Sequence, residues 1–359
     1  MTITRSNVKK AIASLLLCLS PAALGGGIIL LGRMDSAATE RIYSRGVFPV
    51  VSAMVGLPAR LAFGLSLAAL ILLFAALFLL AMAGRMIWQL IRKKGERGSI
   101  LFRYGRGLTL LLSCVLLAFA ITCAPNYERL TFAEQSGLEV RSSSADELAA
   151  LCAELIQEAN QLREQVSVDH NGIMALPDRS FSDAAQRAQS AFNAIEGFDF
   201  LGHAALAPKP FLFSEALSYL QLTGFYFPFT AEANLNAHTP PIELPFTMCH
   251  ELAHTRGFMR EDEANFIAAL ACRASDSPEI RYSGTALSLI HATNALYDAD
   301  AARYFSLRSG YSAGLDADLA AQSAYWRRYD TPIAEVSDAV NGAYLKANNQ
   351  SDGLRSYGR

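Results

Sequence analysis

Three long stretches of this chain carry no Asp, Glu, Lys or Arg: Ala11–Gly32, Leu61–Gly84 and Gly107–Tyr127. A helix needs ~20 mostly apolar residues to cross ~30 Å of hydrocarbon, and each run supplies them. Leu61–Gly84 is the strongest, since its centre, Leu70–Leu80, holds only Leu, Ile, Phe and Ala. Uncharged runs of this length are rarely buried helices of a soluble domain. They predict a membrane domain over residues 1–127, with spans at about 11–32, 61–84 and 107–127, and the lipid bilayer as a partner. Apolar residues make up 52% of the chain and charged ones 18%, below the ~25% of soluble domains. That excludes an ordinary soluble enzyme for the whole chain, and the high apolar fraction excludes disorder. The net charge of -2 argues against a nucleic-acid partner, which calls for a basic surplus.

The first run opens on Arg5, Lys9 and Lys10, as a cleaved signal peptide would. It continues through Gly25–Leu31 and two further runs follow, so it is read as an uncleaved span. Orientation follows from Lys and Arg in the short loops. The tail has Arg5, Lys9 and Lys10; the Arg85–Arg106 loop has Arg85, Arg92, Lys93, Lys94, Arg97, Arg103 and Arg106. Three spans place these two on one side, the cytoplasm. The chain is then a multi-pass cell-membrane protein with its C-terminal domain, residues 128–359, extracytoplasmic. The Arg33–Arg60 loop, where Asp35 and Glu40 offset the arginines, lies outside too. Its Ile42–Leu57 stretch reads either as an interfacial segment or as an ordinary loop.

Beyond Pro125 the composition turns ordinary. Ser144 and Glu147 form a capping box that opens a helix to about Val166. Further helices are expected over Asp183–Ile195 and Phe213–Leu222, from Pro245, near Glu261, and from Pro278 behind a Ser277 N-cap. Pro208 and Pro210 interrupt the chain. Gly224–Thr230, followed by Glu232–Asn236, is the best strand candidate. The fold class is therefore mainly α, with a small sheet or hairpin in a mostly helical external domain. The tail Asn348–Arg359 is polar and reads as loose. Six cysteines are too few and too scattered for a disulfide scaffold; Cys249 and Cys272 are expected as two buried thiols.

The chemistry lies in Cys249-His250-Glu251-Leu252-Ala253-His254. On a helix, His250 and His254 stand one turn apart, ~40° around the axis, so both imidazoles reach one zinc ion. Glu251 sits beside them, placed to take a proton from an activated water. Pro245 is tolerated in the first turn, and Gly257 can end the helix in a left-handed cap. A catalytic zinc needs a third protein ligand. Arg260, where some zinc peptidases place a third histidine, cannot bind a cation. Glu261 is favoured instead, because it shares a helix face with Asn265, whose amide can orient a ligand. Glu263 is the alternative, pointing ~200° away. Phe225–Asn236, including Asn234, can supply an edge strand for peptide binding. Tyr282, His291 and Arg281 are candidate oxyanion contacts.

The chain resembles a family of bacterial membrane proteins known only as a domain of unknown function, with three N-terminal spans and a zincin-like external domain. The resemblance rests on Pro228-Phe229-Thr230 leading to Glu232-Ala233-Asn234, on Leu244-Pro245-Phe246-Thr247, Cys249–His254 and Glu261–Phe266, and on Arg281-Tyr282-Ser283-Gly284 and Tyr344–Asn349. It implies a zincin-like α+β external domain with a metallopeptidase-like site. A Glu followed four residues later by Asn is similar to the gluzincin helix, which implies Glu261 as the ligand. It also implies a chain that runs on past Ser356-Tyr357-Gly358 into a last helix.

Together these features predict a membrane-anchored peptidase with one Zn2+, acting on a peptide or envelope protein. The rival is a non-catalytic sensor or scaffold with a structural metal site. A transport role is disfavoured because no charge interrupts the three runs. Oligomeric state is left open.

Overall fold

The computed structural model describes residues 5–62, 64–177, 180–348 and 350. The chain divides into two compact units. One comprises Met1–Val55 and Leu67–Arg129, the other Gly56–Ser66 and Leu130–Arg359.

The first unit is helical. Helix α1 spans Arg5–Met34. After a short turn at Ser36–Ala38 the chain winds wide over Thr39–Val47 and continues as α2, Phe48–Arg60. Helix α3 is Leu67–Arg92 and α4 is Arg97–Thr122. Among the described residues four helical segments are long and apolar enough to cross a bilayer: Ala11–Met34, Ser36–Arg60, Leu67–Arg92 and Lys94–Thr122. The sequence reading had three. It passed over Ser36–Arg60 because Glu40, Arg41 and Arg45 break that run. The helices are also offset from the uncharged runs. The chain turns at Leu61, Ala62 and Gly64 before α3 begins, and α4 takes in Arg97, Arg103 and Arg106, whose long stems suit a helix end near an interface.

Helices α1 and α4 run parallel. Arg106 donates to Ser14 Oγ (2.9 Å) near their starts, and Arg33 pairs with Glu128 (3.0 Å) just past their ends. Between these points a Cβ on Gly25 would lie 3.0 Å from Leu117 Cα, so a larger residue there would push the two helices apart. Helix α3 folds back on α4 across the Lys94–Glu96 turn, where Gln89 bonds Tyr104 (3.3 Å) and accepts from Arg103. At the far end Arg129 holds Glu40 through two bonds (2.8 and 2.9 Å), Arg45 adds a third (2.8 Å), and Tyr43 donates to Ile121 O (2.9 Å).

In the second unit the Ser144–Glu147 capping box opens α5, Ala145–Arg163. Helix α6 is Phe181–Asn193 and α7 is Ser214–Tyr219, shorter than expected because Gln221 turns left-handed (φ 56°). Strands β1 (Lys209–Pro210), β2 (Gly224–Phe227) and β3 (Glu232–Leu235) form a sheet in the order β1-β3-β2. β2 pairs antiparallel with β3 as the expected hairpin, with Phe225 opposite Asn234. β1, which the sequence reading took for a break, runs parallel to β3; Pro210 is tolerated because β1 lies at an edge. Helices α8 (Leu244–Thr255), α9 (Glu261–Arg273), α10 (Pro278–Ala299), α11 (Ala301–Arg308), α12 (Ala313–Arg327) and α13 (Pro332–Ala347) complete the unit. Ser277 precedes α10 but donates its hydroxyl to Glu279 rather than capping (2.9 Å). The main core gathers Ala188 and Phe192 of α6, Leu235 of β3, Cys249, Leu252 and Ala253 of α8, and Ile267 and Ala271 of α9.

The boundary falls after Arg129 rather than at the expected 127/128 division, and a second difference lies earlier in the chain. Gly56–Ser66, between α2 and α3, belongs to the C-terminal unit. Buried Lys209 donates to Ala59 O (2.6 Å), Leu65 O (3.0 Å) and Glu232 (2.8 Å), and Ser66 donates to Asn234 Oδ1 (2.6 Å). Beyond Gln350 the tail read as loose lies outside the described residues.

Candidate metal centre

Helix α8 is buried from Leu244 to His254. A helix enclosed on all sides is a core element, and its residues are held rigidly. Pro245 starts it without loss of a backbone bond. Gly257 adopts φ +83° at its end, a conformation open to glycine. The reversal bonds Gly257 N to His254 O (3.0 Å) and Phe258 N to Ala253 O (3.2 Å). It thereby sets Phe258 O 2.6 Å from His254 Nδ1.

Only three residues separate Gly257 from Glu261, so α9 packs back on α8. The turn brings His250, His254 and Glu261, all buried, to one point, with one donor atom from each within 4.8 Å of the others. His250 Nε2 and His254 Nε2 are 3.0 Å apart. Glu261 Oε2 lies 3.1 Å from the first and 3.6 Å from the second. Gln350 steadies the start of α9, accepting from Glu261 N (3.1 Å).

The outer face of each imidazole fixes its tautomer. Phe258 O can only accept, so His254 Nδ1 carries the proton and Nε2 a lone pair. Asn265 Oδ1 accepts from His250 Nδ1 (2.8 Å) in the same way. Two nitrogen lone pairs and a carboxylate oxygen thus converge, an arrangement that needs a proton or a cation between them. With protons alone, burial disfavours charge on His254, but the Glu261 carboxylate outweighs it and raises the imidazole to about 9. Burial likewise opposes charge on Glu261, and the two imidazoles hold it down at about 2.

Glu251 is buried beside the cluster, and its Oε2 has no hydrogen-bond partner among the described residues. Burial pushes its carboxyl up, against the pull of His254 and His250. The edge strand β2 comes up against this side chain. A Cβ on Gly224 would lie 2.9 Å from Glu251 Oε1 and 3.0 Å from Asn234 O, so glycine is required there. The sequence reading missed Gly224; a glycine opening an aromatic strand was the available signal.

The other expected residues separate. Glu263 points away: it accepts from Phe132 N and Arg260 (3.0 Å each) and borders a groove of about 1080 Å³ lined by Phe132, Val140, Leu148 and Phe266. Asn234 is fully buried, its amide held by Ser66 and donating to Glu232 O (3.1 Å); only its backbone borders Gly224. Tyr282 donates to Asp318 (2.7 Å), which also pairs with Arg163 (2.5 Å). Its hydroxyl is consumed inside the core, so it is not an oxyanion contact. Arg281 sits 3.8 Å from Glu158. His291 of α10 lies beside Phe246, ring centres 6.4 Å apart; burial and the neighbouring His250 lower its pKa. Cys249 and Cys272 are free thiols. Trp326, silent in the sequence, donates to Glu243 (2.8 Å) at the start of α8.

No curated protein and no solved structure matches the chain. A family model described as "Protein of unknown function (DUF3810)" matches residues 43–359, and the chain therefore belongs to that family.

Proposed function

We propose that this protein is a membrane-anchored zinc metallopeptidase with a zincin-like domain and its site on the extracytoplasmic side. One observation carries the reading: two Nε2 lone pairs and one carboxylate oxygen converge beside a buried, unpartnered carboxylate. Tetrahedral ligands ~2.0–2.1 Å from zinc stand ~3.3–3.4 Å apart. The separations of 3.0, 3.1 and 3.6 Å bracket that spacing, so His250, His254 and Glu261 fit one ion.

Bound zinc supplies a Lewis acid and lowers the pKa of water to about 7. This chain's residues do the rest. Asn265 and Phe258 O hold both imidazoles in the liganding tautomer. Glu251 takes a proton from the attacking water and returns it to the leaving amine. As an edge strand of the described sheet, β2 would pair with an extended peptide alongside Glu251, and His291 is the candidate second donor for a developing oxyanion. The substrate class is a peptide or an envelope protein. The basic N-terminal tail and Lys93–Arg97 turn suit the cytoplasmic side, and α1, α3 and α4 serve as the three crossings.

The test pairs metal analysis with a peptide-library digest read by mass spectrometry. Wild type is expected to hold one zinc per chain and to cleave. Glu251→Gln is expected to keep the metal and lose cleavage. Zinc-loaded wild type that cleaves nothing would favour the rival, a sensor or scaffold with a structural metal. Metal-free protein would end both readings.

A further inference from the structure

Ser36–Arg60 has the length and composition of a span, yet the chain directions around it forbid a crossing. Helices α1 and α4 run parallel, and α3 reverses into α4 at the Lys94–Glu96 turn, where Gln89 meets Arg103 and Tyr104, so α1 ends on the membrane face where α3 begins. The segment between them starts and finishes on that one face. Had Ser36–Arg60 crossed, only residues 61–66 would remain to return. Six extended residues reach ~20 Å, short of ~30 Å of hydrocarbon.

The side chains divide accordingly. Ile42, Val47, Val50, Met54 and Leu57 are exposed, and the row continues past the helix end in exposed Leu61 and Leu65. Their spacing follows the wide turn of 39–47 and then the ordinary helix of α2. The other face is buried: Thr39, Glu40, Ser44, Phe48 and Ala59. Its charge is spent within the protein, because Glu40 is held by Arg129 and Arg45. Arg41 and Arg60 flank the apolar row. One exposed apolar face, one protein-facing face whose charge is paired and basic flanks are the makings of a helix lying in a membrane interface.

We propose that Ser36–Arg60 is an in-plane helix whose Ile42–Leu57 row is embedded in the headgroup–acyl boundary of the leaflet where α1 ends and α3 begins. Lipid is its occupant, because both ends of the helix are fixed at that leaflet by spans. Leu61 and Leu65 extend the apolar row, and Lys209 grips the carbonyls of Ala59 and Leu65. The inference is independent of the peptidase reading.

Full-length protein in phosphatidylcholine vesicles tests it. Cysteines are placed singly at Ile42, Val50, Met54 and Leu57 in a Cys114→Ser background, the remaining described thiols apart from Cys18 and Cys123 lying in the C-terminal unit and all of them buried. A bimane label reports quenching by lipids brominated near the headgroup or near the acyl methyl end. Leu77, central in α3, is the deep reference. Because every labelled position is exposed, folding is preserved, and gel filtration checks it. All four positions are expected to be quenched at least about twofold better by the shallow bromines, and Leu77 by the deep ones. Val50 behaving like Leu77 would mean a crossing and overturn the proposal. Absence of quenching at all four would place protein, such as a second copy, or water on the row and overturn it equally.

Discussion

Single side chains decide whether the cluster can work. Asn265 and Phe258 O fix two imidazoles so that both Nε2 atoms face inward. Asn265→Ala removes one of these restraints and is expected to weaken zinc binding ~10–100-fold, read by competition with a chelating dye. Glu261→Ala should lower affinity further, whereas Glu263→Gln should leave it unchanged, since Glu263 serves Phe132 N and Arg260. Gly224 is the subtler position. An alanine methyl there would press on Glu251 at 2.9 Å. Gly224→Ala is expected to destabilise by ~1–3 kcal/mol and, on the proposed peptidase reading, to slow cleavage while zinc content holds. Loss of zinc in that variant would mean that Gly224 supports the metal rather than the base.

At the level of elements, buried polar ties set what moves together. Lys209 joins β1 and Glu232 of β3 to Ala59 and Leu65. Lys209→Met removes the buried ammonium beside Glu232 and its bonds to the Ala59 and Leu65 carbonyls, and a loss of ~3–5 kcal/mol in chemical denaturation is expected. Helix α5 depends on its capping box in a pH-dependent way. Its Glu147 is held down at about 2, first by Arg141 and then by Ser144. A carboxylate with a lowered folded pKa contributes stability that is present above its unfolded value near 4.5 and is lost as pH falls toward 2. Protection factors over Ser144–Leu148, with the intrinsic pH dependence of exchange divided out, should fall across that window, and Glu147→Gln should make them independent of pH there. The capping box and the β2–β3 hairpin were legible because they are local. β1 was not, because two residues gain strand character only from a partner at Asn234 and Leu235.

Across the molecule, the membrane and C-terminal units share one continuous but interrupted chain. Gly56–Ser66 returns to the C-terminal unit, so a fragment beginning at Leu130 lacks the carbonyls that Lys209 grips and the Ser66 hydroxyl. It is expected to unfold at a lower temperature than the same domain in the full chain, with β3 amides exchanging first. Equal protection of β3 in both would show the strap to be dispensable. What the sequence by itself determined was whatever depends on spacing along the chain: the three uncharged runs, the basic turn between α3 and α4, the two histidines a helical turn apart, and the glycine that ends their helix. Tertiary structure brought Glu261 rather than Glu263 to His250 and His254, withdrew Tyr282 and the Asn234 side chain into the core and set Gly224 against Glu251. Each of those depends on which distant segments pack together, and helical period or residue type alone leaves several packings equally open.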